Sequence, residues 1–258
     1  MARSGTVTLS YGTSVVAVHT TIPQAFAEAV RRDPTTPLLT WYDDASGDRT
    51  ELSGATLDNW VAKTANLLID GAGLGPGDTV AVLLPPHWQT AAVVLGVSAA
   101  GLAADLGVEP APVEALFTSP DRAARAAGWP AADRYVTGLL PFAMPLRDTP
   151  PGFVDYVTEV RNYGDHFRGQ PVGADDVAVS APTEMSHLTL TREAASRATE
   201  LGIKPGDRVL IDSAAHPDPL DWLFAPLLAG ASIVLCANLD RTKLPTRTDA
   251  EKANLVLA

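Results

Sequence analysis

The chain has 258 residues, 46% hydrophobic and 19% charged, enough apolar material for a substantial core in one large domain or two small ones. A formal net charge of −11 excludes the basic surface that non-specific nucleic-acid binding or docking on anionic lipid requires, so neither nucleic acid nor membrane is expected as a partner. The single cysteine, Cys236, excludes an internal disulfide and a multi-thiolate metal site, and its apolar surroundings predict a buried, inert thiol.

Residues 1–20 show no helical period and read as an N-terminal arm. The apolar stretch Val15-Val16-Ala17-Val18 is too short for the core of a signal peptide, and the run 91–104 is broken by Ser98 and two glycines. It falls short of the about 18 apolar residues that mark a spanning helix, so the expected location is the cytoplasm. The first helix begins at Thr21, which with Gln24 forms a capping box, and stops before Asp33-Pro34 because a residue preceding proline avoids helical torsions. A strand at 38–42, a loop at 43–48 and a return strand at 49–52 read as a hairpin. A helix at 55–70 follows, with Leu57, Trp60, Val61, Thr64 and Leu68 on one face and Gly71 as its left-handed stop.

Next comes a segment that the chain carries twice. Leu74-Gly75-Pro76-Gly77-Asp78-Thr79-Val80 returns 129 residues later as Ile203-Lys204-Pro205-Gly206-Asp207-Arg208-Val209, and His87 and Gly101 return as His216 and Gly230 at the same offset. Pro76-Gly77 suits the centre of a type II turn. A strand at 79–84, a helix at 87–100 and a strand from Leu102 then form a parallel crossover unit. Prolines 141, 145, 150 and 151 make 107–174 an irregular connection, apart from a helix at 153–167 with Phe153, Tyr156, Val157 and Val160 inward. A strand at 176–180 and a helix at 191–201 precede the second copy, whose strands are 208–211 and 232–236 and whose helix, 220–229, starts after Pro219. The tail is polar from Asn238 and briefly apolar at Leu255-Val256-Leu257. No clean linker is visible. The fold class is therefore α/β, as two interlocked lobes of mostly parallel sheet flanked by helices, one over about 21–174 and one over about 175–258.

These marks, in this order, resemble the N-terminal part of the adenylate-forming enzymes, the AMP-binding superfamily of acyl-CoA synthetases, luciferases and peptide-synthetase adenylation domains. Residues 21–107 are similar to its opening segment. Asp175-Asp176-Val177-Ala178 looks like the strand before its phosphate loop, and Leu190-Thr191-Arg192 like the sequence after it. His216 matches a position that borders the acyl pocket. The whole chain looks most like a short actinobacterial group of homologues, a truncated synthetase N-terminal domain. The resemblance implies an ATP-phosphate loop rich in Ser, Thr and Gly and ending in Lys, in which amides, hydroxyls and a cation meet the phosphates. Here the stretch is Ser180-Ala181-Pro182-Thr183-Glu184-Met185-Ser186-His187, without glycine or lysine and with a carboxylate. Thr183, Ser186 and Thr191 remain as candidates of a degenerate loop, with His216 as the pocket candidate, although capping the following helix is a plainer role for Thr183 and Ser186. The later nucleotide-binding motifs, the ribose-binding aspartate and the lid lysine of the superfamily have no counterpart before Ala258.

Other look-alikes fail on context. Gly96-Val97-Ser98-Ala99-Ala100 approaches a nucleophile elbow but lies inside an apolar helix, and Gly71-Ala72-Gly73-Leu74-Gly75 follows a helix where a dinucleotide loop follows a strand. The five histidines lack metal-ligand spacing, and Asp165-His166 reads as an exposed turn. The expectation is thus no catalytic residue, no cofactor and no metal: a catalytically degenerate homologue that binds a protein, as a homo-oligomer or a hetero-complex, or binds a small ligand. The alternative is an acyl-adenylating half-enzyme completed by a partner subunit.

Overall fold

The structure is a computed structural model that describes residues 19–258, so the expected arm at 1–20 lies outside the described residues except for His19 and Thr20. Helix α1 spans Ile22–Arg32. Thr21 Oγ1 accepts the Gln24 N–H at 3.3 Å, while the Gln24 side chain reaches back to the N–H of Thr20, one residue further out than in a standard box. Strands β1 (Pro37–Asp43) and β2 (Asp48–Ser53) form the hairpin, and α2 (Gly54–Asn66) runs into a π-helical turn at Leu67–Gly71. Gly71 is not the left-handed stop: positive φ falls on Gly73, at 70°. A Cβ on Gly71 would collide with the Tyr163 hydroxyl, so that glycine permits close approach instead.

The first copy of the repeat supplies β3 (Thr79–Leu83), α3 (Trp88–Ala99) and β4 (Ala103–Asp105). The segment 107–174 is more regular than its prolines suggest. It holds β5 (Val113–Thr118), α4 (Ala123–Ala126), β6 (Ala131–Val136), β7 (Val154–Asp155) and α5 (Tyr156–Val160). Charged Asp133 and Arg134 mask β6, because the Arg134 guanidinium folds back onto the carbonyls of Ala126 and Trp129. The helix expected at 153–167 is five residues long. Asp155 caps it at Thr158, and beyond Val160 the carbonyls of Tyr163, Gly164 and His166 are taken by Lys63 and Asn66 of α2, which draws the chain out of helical form. Tyr156, Val157 and Val160 face the core as expected, while Phe153 is only partly buried.

After β8 (Val177–Ala181) and the short return β9 (Met185–Ser186), α6 covers His187–Glu200, starting four residues earlier than expected because Ser186 caps it. The second copy gives β10 (Arg208–Asp212), a π-helical turn at Leu220–Phe224 leading into α7 (Ala225–Ala229), and β11 (Ser232–Ala237). The polar tail also folds, into α8 (Leu244–Glu251) and β12 (Leu255–Leu257).

Two sheets result. One has the order β7-β6-β5-β3-β4-β8-β9 and is parallel except for β9; the other has the order β12-β10-β11-β1-β2 and is parallel except for β2. Each sheet receives one copy of the repeat. In both, the turn closes from Asp78 or Asp207 N–H to the carbonyl three residues before, with Gly77 at φ 97° and Gly206 at φ 83°. The equivalence extends to single bonds: the Asp78 carbonyl accepts from Ala103 N–H, and that of Asp207 from Ser232 N–H, 129 residues on. The sheets do not divide the chain at 174/175, because β1 pairs with β11 and β4 pairs with β8.

Alternating residues sort the strands into layers. Val80, Val82, Val209, Ile211, Ile233 and Leu235 join the main core, while Ala81 and Leu83 face α4 and Trp129, and Leu210, Val234 and Cys236 face the outer cover that includes Leu244 and Ala253. Between the sheets lies a layer in which α1 touches α2, α3, α6 and α7. Every residue from Trp88 to Ser98 of α3 is buried, as a helix enclosed on all sides requires. Ser98 is therefore a core residue, and Gly96 lets α3 approach Thr64 of α2, where a Cβ would lie 2.7 Å from the threonine side chain. Cys236 is fully buried, and burial pushes its thiol up to about 11. Among the described residues no helix is long and apolar enough to cross a membrane.

Candidate ligand-binding cleft

Open parallel sheets present ligand crevices beyond the carboxyl ends of their strands. Two adjoining clefts occupy that place here. The first, of about 700 Å³, lies between the β8–β9 turn, α6 and the Pro217–Leu220 stretch that follows β10. Its floor is apolar, with Val179, Leu190 and Phe224 buried, and Thr183, Glu184, Glu193 and Asp218 stand on its walls. The second, of about 260 Å³, continues beyond Leu106, Pro217 and Pro219 to the end of β3 and carries Arg122 and Arg125.

The four sequence candidates are not brought to one point. Thr183 lines the larger cleft. Ser186 is the N-cap of α6, its Oγ accepting the Thr189 N–H at 3.2 Å. Thr191 lies buried within α6 and donates its hydroxyl to the Leu188 carbonyl at 3.0 Å. His216 sits just before the proline wall, its Nδ1 2.9 Å from Asp221 Oδ2. Arg197 of α6 binds the same carboxylate at 2.7 and 3.0 Å. These bonds, from Arg197 first and then from His216, hold the Asp221 carboxyl below the usual carboxylate range. Arg197 thus fastens the second crossover to α6 through Asp221, and His216 braces that carboxylate from within its own crossover. Asp165 and His166 are both exposed, with 3.9 Å between His166 Nε2 and Asp165 Oδ1.

The start of α6 decides what the cleft can hold. A helix N-terminus attracts phosphate when its first amides are free. Here the His187 N–H donates to the Asp176 carbonyl and the Leu188 N–H to the Ala174 carbonyl, both at 2.9 Å, and Thr189 N–H is taken by Ser186. All three leading donors are spent inside the protein. Pro182 contributes none, and Glu184 places a carboxylate on the cleft wall.

Several polar residues near the strand ends were not singled out as site candidates in the sequence. His87 caps α3 by accepting the Gln89 N–H at Nδ1, 3.0 Å away, and meets Trp41 edge-on at 4.3 Å between ring centroids. Burial pushes its imidazole down to about 3. The imidazole of His187 accepts the N–H of Ile22 at 3.4 Å, and burial pushes it down to about 4. Gln89 Oε1 accepts from the Thr137 hydroxyl at 2.6 Å, whereas Gln89 Nε2 and Ser119 Oγ are buried without a partner among the described residues. Isolated polar residues inside apolar runs have no period to reveal them.

Comparison with known proteins agrees with this architecture. The family model described as AMP-binding enzyme matches residues 26–112. A "TIGR03089 family protein" of Mycobacterium tuberculosis is 43% identical over 235 residues, which is 88% of this chain and 94% of that protein. Among solved structures, a Mycobacterium tuberculosis fatty acyl CoA synthetase superposes with a TM-score of 0.68 at 14% identity, over 92% of this chain and 49% of the synthetase. Acetoacetyl-CoA synthetase from Streptomyces lividans gives 0.71 at 20% identity, over 92% of this chain and 42% of its own. The chain thus spans about half the length of these synthetases and shares their fold.

Proposed function

The chain belongs to the TIGR03089 family, with the opening segment of the AMP-binding enzymes at its core, and from that premise we propose that it is a non-adenylating binding module whose cleft serves a protein or ligand partner. One observation carries this reading: the leading amides of α6, where the related loop would cradle phosphates, are already satisfied by Asp176, Ala174 and Ser186. With no lysine in the loop and Glu184 beside it, a triphosphate meets a carboxylate in place of a cation and none of the leading amides of α6. Transition-state stabilisation of adenylation depends on such preorganised groups. Calorimetric titration tests this directly. No ATP heat is expected at about 1 mM, the upper end of ordinary KM values. ATP binding that requires the triphosphate, or ATP–pyrophosphate exchange by the chain alone, would overturn the proposal.

A second reading follows from the shared span of about half of each synthetase. In it the chain is an acyl-adenylating half completed by a partner subunit. It requires pyrophosphate exchange to emerge when that subunit is added, and the occupied amides of α6 argue against it. The second reading and the protein-binding form of the first give the chain a protein partner or a second copy, so light scattering of the chain, alone or with that partner, should report a species larger than one chain. A strict monomer in every condition counts against protein binding and leaves the small-ligand form of the first reading.

A further inference from the structure

Resting on the binding-module reading, we propose that the larger cleft seats a basic amphipathic helix from a partner polypeptide. The floor formed by Val179, Leu190 and Phe224 is closed underneath, and the partly buried Met185 and Leu220 offer apolar surface toward the opening. Such a floor takes a stripe of apolar side chains at helical spacing, the mode by which grooves recognise amphipathic helices. The walls specify the charge of that helix. Glu184 on the β8–β9 turn and Glu193 on α6 line the cleft, with Asp218 on the strand-end stretch after β10, and among the described residues no lysine or arginine lines it. Among the described residues neither glutamate has an ion-pair partner, and Asp218 Oδ1 is engaged only by the Leu220 N–H. Three carboxylates on separate elements exceed what one small cation satisfies. A helix whose apolar stripe is flanked by Lys or Arg on both sides answers all three. The basic side chains Arg122 and Arg125 belong to the adjoining cleft, across Leu106, Pro217 and Pro219, so the acidic walls end there. The net charge of −11 adds long-range attraction for a basic partner.

The test uses the full chain and a synthetic 18-residue helix of Leu and Lys, titrated by fluorescence anisotropy at low and physiological salt. Micromolar binding is expected, weakened at least about tenfold by the double change Glu184→Lys and Glu193→Lys, as expected when close charge pairs are reversed. Replacing the peptide's leucines by serine should weaken it by a similar factor. The control pair Asp70→Lys and Asp148→Lys alters net charge equally at exposed sites away from the cleft, and should change affinity less than about twofold. Equal weakening by both pairs, equal binding of a Leu–Glu peptide, or no binding of the Leu–Lys peptide would each overturn this inference. Those results leave the non-adenylating reading intact so long as ATP gives no heat; triphosphate-dependent binding of ATP removes that reading whatever the peptide does.

Discussion

His87 and His187 are buried bases kept neutral, and the protein's stability should register that. Both ordinarily titrate near 6.5, but the folded values are about 3 and about 4. As pH falls, the unfolded chain therefore takes up protons first. The stabilisation is complete above pH 6.5 and drains away below it, levelling off only once the folded values are passed. At pH 5 the loss should be about 2 kcal/mol for each histidine, read from urea midpoints between pH 7 and 5. His87→Asn keeps a capping acceptor but cannot titrate, so it should remove about half of that slope. An unchanged slope would contradict the burial account. Ser186→Ala should cost about 1 kcal/mol through loss of the α6 cap, without creating ATP binding. Ser186 was visible from sequence because polar residues before an apolar run announce a cap. The burial of His87 was not visible, since its partner Trp41 is contributed by the other sheet.

At the scale of elements, the C-terminal helix is fastened by charge. Glu251 of α8 pairs with Arg208 on β10 and, at 2.9 Å, with Arg49 on β2, and accepts the Tyr42 hydroxyl at 2.5 Å. Asp44 likewise holds Lys243 and Arg247, and hydrogen bonds from Arg247 first keep its carboxyl well below the usual range. Removing Glu251 leaves the mostly buried Arg208 without its carboxylate, while Arg49 keeps Glu51, so Glu251→Ala should cost about 3 kcal/mol. Hydrogen exchange should then show α8 and β12 opening before the rest. A uniform rise in exchange would refute that local role. These elements were missed in the sequence because the segment beyond Asn238 is polar and its hold on the sheet comes from long-range ion pairs. By contrast, α1, the β1–β2 hairpin and both crossover units were legible, since caps, turn residues and hydrophobic period act locally. Strands β5 and β6 were missed as well: Pro110 and Pro112 punctuate the entry to β5, and Arg134 disguises β6.

For the molecule as a whole, exchange of strands between the halves matters more than either half. The second copy of the repeat reaches its neighbour β1 from the start of the chain, and β8 completes the sheet built on the first copy. A fragment of residues 175–258 should therefore lack far-ultraviolet signs of a folded sheet and show no cooperative urea transition. A cooperative transition in that fragment would mean its strands suffice alone. The intact protein should unfold in a single step, because both sheets rest on the same helices.

The carbonyls that occupy the first amides of α6 come from Ala174 and Asp176, in the strand-entry segment behind the loop. On the proposed non-adenylating reading, the obstacle to nucleotide therefore lies in the path of the main chain. Grafting glycines and a lysine into 182–186 changes side chains and leaves those amides engaged. Under that reading, freeing them would demand rerouting the approach to β8, and so lies beyond the reach of single substitutions.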